Sequence, residues 1–121
     1  MARKADDYYL DGTLDRVAET VRVTVCAGEP TNLADLSNVA LADGTLTAGD
    51  WAKSNASPDG RRVDMDQQPD LAIDASGEAD HVVVDEGDNI YVTVCDPQML
   101  TAGGTVTVGT WGVRVAAPAA P

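Results

Sequence analysis

Phenylalanine is missing from this chain, histidine occurs once and cysteine twice, and no apolar run approaches the roughly 20 residues that a membrane-spanning helix needs. With His81 alone, no nucleophile, base and orienter can be assembled unless a carboxylate or lysine takes the place of the base. Two cysteines without CxxC spacing and without a second histidine do not make a zinc site. Positive charge is also scarce. Eight Lys or Arg stand against twenty Asp or Glu, for a formal charge of −12, and between Val63 and Val113 there are ten acids and no Lys or Arg. Repulsion from phosphate argues against nucleic acid or an anionic membrane as a partner of that half. Met1-Ala2-Arg3-Lys4 leads into Ala5-Asp6-Asp7, where a secretory leader would carry an apolar stretch, so the expectation is synthesis in the cytoplasm of the producing cell.

What is present is a partial repeat. Val23-Thr24-Val25-Cys26 is followed by Leu46-Thr47-Ala48-Gly49 and Trp51; Val92-Thr93-Val94-Cys95 is followed by Leu100-Thr101-Ala102-Gly103 and Trp111. A strand, a Thr-Ala-Gly turn and a Trp-bearing segment thus occur twice, which suggests two related β-halves. At 121 residues the chain is long enough for one core and short for two. The expected fold is mainly β: a single compact β-sandwich or β-barrel-like domain with a short N-terminal helix. Its divisions are an N-terminal arm and helix over 1–20, a β-domain over 21–116 and an Ala/Pro tail over 117–121.

Leu14, Val17 and Ala18, spaced by three and one behind Tyr8-Tyr9-Leu10, predict the helix. Val21 to Val25 alternates and is β-branched, which predicts a strand. A short helical turn around Leu33 and Leu36 and a strand from Val39 follow. Asp43-Gly44 and Ala48-Gly49-Asp50 read as turns, and Ser54 to Gly60 as the longest polar loop. Strands are expected at Arg62 to Asp66, Leu71 to Ile73 and Ala79 to Val84, with a hairpin through Gly87-Asp88 into Ile90 to Val94. Gly103-Gly104 is expected to start another, joining Thr105 to Val108 and then Trp111 to Val115. Ile90, Val92, Val94, Val106, Val108, Val113 and Val115 are available to one buried face.

The candidate chemistry is thin. His81 beside Asp80 and Asp85 reads as a strand-edge histidine rather than a base or ligand. Asp64, Asp66, Asp70 and Asp74 offer the oxygens calcium wants but lack the EF-hand order, so a solvated strand face is preferred. Gly103-Gly104 precedes a Thr-Val strand, not the Lys and helix of a phosphate loop. Cys26 and Cys95 are read as free buried thiols, with a disulfide the alternative. Trp51 and Trp111 are core or subunit-contact residues, or a sugar platform. No metal and no cofactor is expected. A small hydrolase using Asp64, Asp66 and His81 ranks last among the functions considered.

Asp7-Tyr8-Tyr9-Leu10-Asp11, Leu14-Asp15, Val23 to Cys26 with Glu29-Pro30-Thr31, Leu46 to Asp50, Gly77 to Val82, Tyr91 to Cys95 and Leu100 to Val106, taken in order, are similar to a family of small structural proteins of tailed bacteriophages. The likeness runs from about Asp7 to Pro118. It implies a non-enzymatic virion component, preferably a capsid-decorating or cement protein on the head surface, made in the host bacterial cytoplasm. Its partner would then be the major capsid protein, and it would act as a homo-oligomer, with a trimer favoured. The Arg61-Arg62 loop, the tail and the many acids do not match the family. The candidate capsid or subunit interface is Arg3, Lys4, Tyr8, Tyr9, Leu10, Trp51 and Trp111. The alternative is a tail- or spike-associated module that contacts host glycan.

Overall fold

The computed structural model of this chain describes residues 7–56 and 60–115. In chain order these form α1 (Asp7–Ala18), β1 (Arg22–Cys26), α2 (Leu36–Val39), β2 (Ala40–Thr45), a 3-10 turn (Ala48–Asp50), β3 (Trp51–Asn55), β4 (Arg61–Met65), β5 (Gln68–Ala72), β6 (Gly77–Asp85), β7 (Ile90–Leu100), β8 (Thr105–Val108) and β9 (Trp111–Val115). All sheet pairings are antiparallel, in three sheets ordered β2-β1-β6-β7, β3-β4-β9 and β5-β8. The expected mainly β single domain with a short N-terminal helix is what forms.

The main core gathers side chains from every sheet: Val23 and Val25 of β1, Val82 and Val84 of β6, Val63 and Met65 of β4, and Leu46 and Leu100 of the two repeated turns. Leu14 and Val17 of α1, 0% and 4% exposed, complete it. The helix therefore packs into the main core. Its spacing places both residues on one face, and that face is buried on the sheets. A second, smaller cluster lies on the opposite face of the first sheet, where Leu36 of α2 covers Cys26 and Val83.

The repeat has a geometric meaning different from two separate halves. Its strands, β1 and β7, lie on either side of β6, and its Trp-bearing strands, β3 and β9, lie on either side of β4. The two turns are built differently. In the first, the Asp50 carboxylate accepts from the Thr47 amide at 2.7 Å and its hydroxyl at 3.2 Å. In the second, Gly103 takes φ +92, and Gly103 and Gly104 exchange backbone hydrogen bonds with Ile73.

Three sequence expectations are corrected. Asp43-Gly44 does not turn the chain; it lies inside β2, opposite Thr24 and Val23. At Gly44 a Cβ would stand 2.6 Å from Leu71 Cδ2, so this glycine serves close packing. The hairpin of Thr105–Val108 with Trp111–Val115 does not form, because β8 pairs with β5 and β9 with β4. Nor do the seven aliphatic residues share one face. Ile90 and Val92 join the small cluster, Val106, Val108, Val113 and Val115 join the main core, and Val94 is 74% exposed.

Gly112 is the tightest point in the sheets: a Cβ there would meet Asp64 Oδ1 at 2.2 Å and the Val63 carbonyl at 2.7 Å. The carboxylate could swing away but the backbone oxygen could not. Gly112→Ala is expected to destabilise by about 1–3 kcal/mol through overpacking, read by denaturant titration. An unchanged midpoint would show that β9 slides to make room.

Candidate interaction surface

Arg3 and Lys4 lie outside the described residues. Tyr8, Tyr9 and Leu10 fall in the first turns of α1, whose side chains are described from Asp11 onward. From there the helix is tied down by charge. Asp11 accepts from Arg61 Nε at 2.9 Å, and Lys53 bonds Asp15 and stands 3.8 Å from Asp11. The Arg61 hydrogen bond holds the Asp11 carboxyl below its ordinary value, against a partial desolvation. These contacts place the start of α1 at the Arg61 and Val115 end of the β4-β9 pair.

Trp51 is a core residue, 8% exposed. Trp111 is half-buried and meets Trp51 edge to face at 5.9 Å. Both indoles face one strand, since Met65 is the cross-strand partner of each. Tyr91 stacks on Trp111 at 6.3 Å and carries that aromatic group to the surface, 37% exposed. Trp51 thus cannot form part of a sugar platform.

Two of the remaining candidate carboxylates, Asp64 and Asp80, are engaged with neighbouring side chains. Asp64 accepts from Arg62 through both oxygens. Among the described residues, no three His, Cys, Asp or Glu are grouped to hold a metal ion. His81 Nδ1 lies 2.7 Å from Asp80 Oδ1, which also accepts from the Gly28 amide at 2.7 Å. Those bonds, the one to His81 foremost, hold the Asp80 carboxyl below its usual range. Cys26 is the β1 partner of His81, so Cys, His and Asp come together in one corner. They do not make a nucleophilic set: Cys26 is fully buried, its thiol is pushed up to about 11 mainly by desolvation, and Sγ is directed at the Thr24 carbonyl.

Both cysteines are free. Alternation explains why: Cys26 packs in the small cluster on one face of the sheet, and Cys95 packs against the main core on the other. In the folded protein a thiol reagent is expected to modify Cys95 slowly and Cys26 only after unfolding, as counted by intact mass. Equal, rapid modification of both would contradict the burial of Cys26.

One surface feature escaped sequence reasoning. A groove of about 290 Å³ lies along the outer side of β7, bounded across by β8 and the start of β9, with Val25, Val82 and Leu100 in its floor. Among the described residues, the strands do not close into a barrel at this point. Ala42 of β2 bridges to Ile73 just past β5, which links the first sheet to the β5-β8 pair, whereas β7 and β8 each have one paired edge among the described residues. The signal for it was Asp96-Pro97 inside a strand run, since a proline in a strand marks an edge or a bulge. The β6-β7 register does shift there, between Ala79 and His81.

The chain matches no known family model, and no curated protein and no solved structure is significantly similar to it.

Proposed function

We propose that this chain is a non-enzymatic structural protein of a tailed-bacteriophage virion. In this reading it decorates the outside of the head as a homo-oligomer, a trimer by preference, bound to the major capsid protein. The observation that carries the reading is the way its reactive side chains are used. Asp80 with His81, Asp64 with Arg62 and Asp85 with Arg22 are each occupied in holding strands and turns. Among the described residues, what remains toward solvent is an open sheet edge and acidic faces. A protein with many equivalent contacts on a lattice needs such surfaces more than it needs a pocket. The N-terminal segment is the contact element, with Tyr8, Tyr9 and Leu10 as apolar anchors and Arg3 and Lys4 as the charge complement.

Counting copies in purified particles tests the role. Hundreds per particle support head decoration. A handful, with retention of the protein on host glycan, would favour the tail or spike module, for which the Tyr91-Trp111 stack is the available aromatic surface. Removal of residues 1–10 keeps Leu14, Val17 and Asp11 in place. The truncated protein is expected to remain folded and to lose binding to expanded capsids, because losing an aromatic hot spot typically costs about 2 kcal/mol or more. Full binding after truncation would move the contact to the β-domain.

A further inference from the structure

We infer that the groove between β7 and β8 is the open seam of a six-stranded barrel, and that this seam zips shut in a register one residue away from the one its turn sets. The strand order shows where the ring is broken. β2-β1-β6-β7 forms one sheet, β8 and β5 another, and the Ala42 to Ile73 bridge joins the end of β5 back to β2. Among the described residues, only the β7-β8 pairing is missing from that ring, although Thr101 to Gly104 alone connect the two strands. The groove of about 290 Å³ is that gap, with Gln98 and Leu100 of β7 on one wall and Val106 and Val108 of β8 on the other.

The turn accounts for the gap. Gly104 donates to the Thr101 carbonyl at 3.1 Å, and Gly103 has φ +92 while Ala102 does not enter the left-handed region, which makes a type II turn. Turns of that type splay the strands they join, because their twist does not match that of a hairpin. Register is the second obstacle. A turn closed by Thr101 and Gly104 sets Leu100 opposite Thr105 and Gln98 opposite Thr107, and directly opposed residues share a face. Leu100 is buried in the core, however, and Thr105 is exposed. The β8 residues that reach the core are Val106 and Val108, so the turn is one residue out of step with the packing.

One shift removes both obstacles. Opening the Thr101 to Gly104 bond lengthens the loop to Thr101 through Thr105, and the seam then pairs Leu100 with Val106, Met99 with Thr107 and Gln98 with Val108. Leu100, Val106 and Val108 fall on the inner face, with Ala79 beside Gln98. Met99, 69% exposed, and the exposed Thr107 fall on the outer one. β8 keeps its ladder to β5, since Leu71 pairs with Val106 and Gln68 with Val108 across its other edge. The zipped segment ends at Pro97, which has no N–H to give, next to the shift in the β6-β7 register. The seam is therefore a two-state element. Open, it offers two strand edges to any strand added there; closed, it offers neither, and the groove is gone.

Closure is tested on the free protein without capsids, so its failure would leave the virion reading untouched. Met99→Cys with Thr107→Cys places two thiols opposite each other only in the closed register, with Cα atoms about 4.5–5.5 Å apart and within reach of a disulfide. Under oxidised glutathione this pair is expected to form an intramolecular bond about tenfold faster than Gln98→Cys with Thr107→Cys, which are opposed in the register of the turn. Peptide masses separate these bonds from any made to the native Cys95. Gly103→Ala supplies the second arm. Nothing stands within 4 Å of the added Cβ, so the change acts through φ and weakens the type II turn. It should speed coupling of the Met99 and Thr107 positions by about fivefold, because the turn is what holds the seam open. Any of three results would overturn the proposal: no bond between positions 99 and 107, equal rates for the two pairs, or coupling that Gly103→Ala leaves unchanged or slows.

Discussion

Arg22→Ala is expected to be among the most damaging single substitutions in this protein, costing about 3 kcal/mol and lowering the melting temperature by about 10 °C or more. The asymmetry of the Arg22-Asp85 pair is the reason. Asp85 is 1% exposed, whereas the Arg22 side chain is 43% exposed. The guanidinium donates to both carboxylate oxygens, from Nε at 2.9 Å and from Nη2 at 3.0 Å. Among the described residues, that carboxylate otherwise accepts from the Gly87 amide at 3.1 Å. With Arg22 gone, a buried charge loses both of its charge-assisted bonds and most of its compensation. The pair also joins β1 to β6 at the point where the β6-β7 hairpin begins, so the damage falls on the centre of the largest sheet. A double-mutant cycle separates the pair from its surroundings. Arg22→Ala combined with Asp85→Ala should be less destabilised than Arg22→Ala alone, because the uncompensated charge is then absent. If the double variant is worse by the sum of the singles, the two residues act independently and the account of a buried pair fails.

How much of this fold the sequence disclosed depended on the range of the interaction involved. The helix at Asp7–Ala18 and the β6-β7 hairpin were legible because both are local: apolar spacing marks one, and Gly87, at φ +109, marks the other. Strand partners were not legible where the pairing is long-range. Thr105 to Val108 looks toward Trp111 in sequence and pairs with Gln68 to Ala72 in space, since no local pattern states which distant edge a strand will find. Asp43-Gly44 carries the usual turn dipeptide, yet the glycine lies within β2, where the Leu71 side chain packs closely over it. Val94 reads as core by alternation with Ile90 and Val92, and that alternation is correct. The cover supplied by Leu33, Leu36 and Val39 reaches Ile90 and Val92, and Val94 stands beyond it. The groove was invisible for a related reason: it is an absence of pairing between two strands, and only the bulge-forming Asp96-Pro97 hinted at an edge. Of the interface candidates, Trp51 shows the limit of residue type as a guide. A tryptophan serves a surface or a core equally well, and here the cross-strand pairing with Met65 decides for the core.

That pairing yields the other large expected effect. Met65→Ala should cost about 2–5 kcal/mol, the range for truncating a fully buried long side chain. Met65 is 0% exposed and lies in the middle strand of its sheet, with Trp51 opposite on one side and Trp111 on the other. Side chains directly across antiparallel strands project from the same face. The two indoles, which meet edge to face at 5.9 Å, therefore project from the same face as the methionine of the strand between theirs. Removing it leaves a void bordered by rigid rings, and rings on neighbouring strands fill such a space poorly because each is held by its own packing. Trp111 is further held by its stack with Tyr91, so its collapse toward Trp51 would break that contact as well. The substitution should consequently lower the denaturation midpoint and also alter the near-ultraviolet circular dichroism of the native protein, where coupled indoles report their mutual orientation. Met65→Leu, which conserves volume, should cost less than about 1.5 kcal/mol and leave that spectrum in place. A native spectrum unchanged in Met65→Ala would mean that the Trp pair is held by β3 and β9 alone, and that the two copies of the repeated Trp segment do not depend on the strand between them.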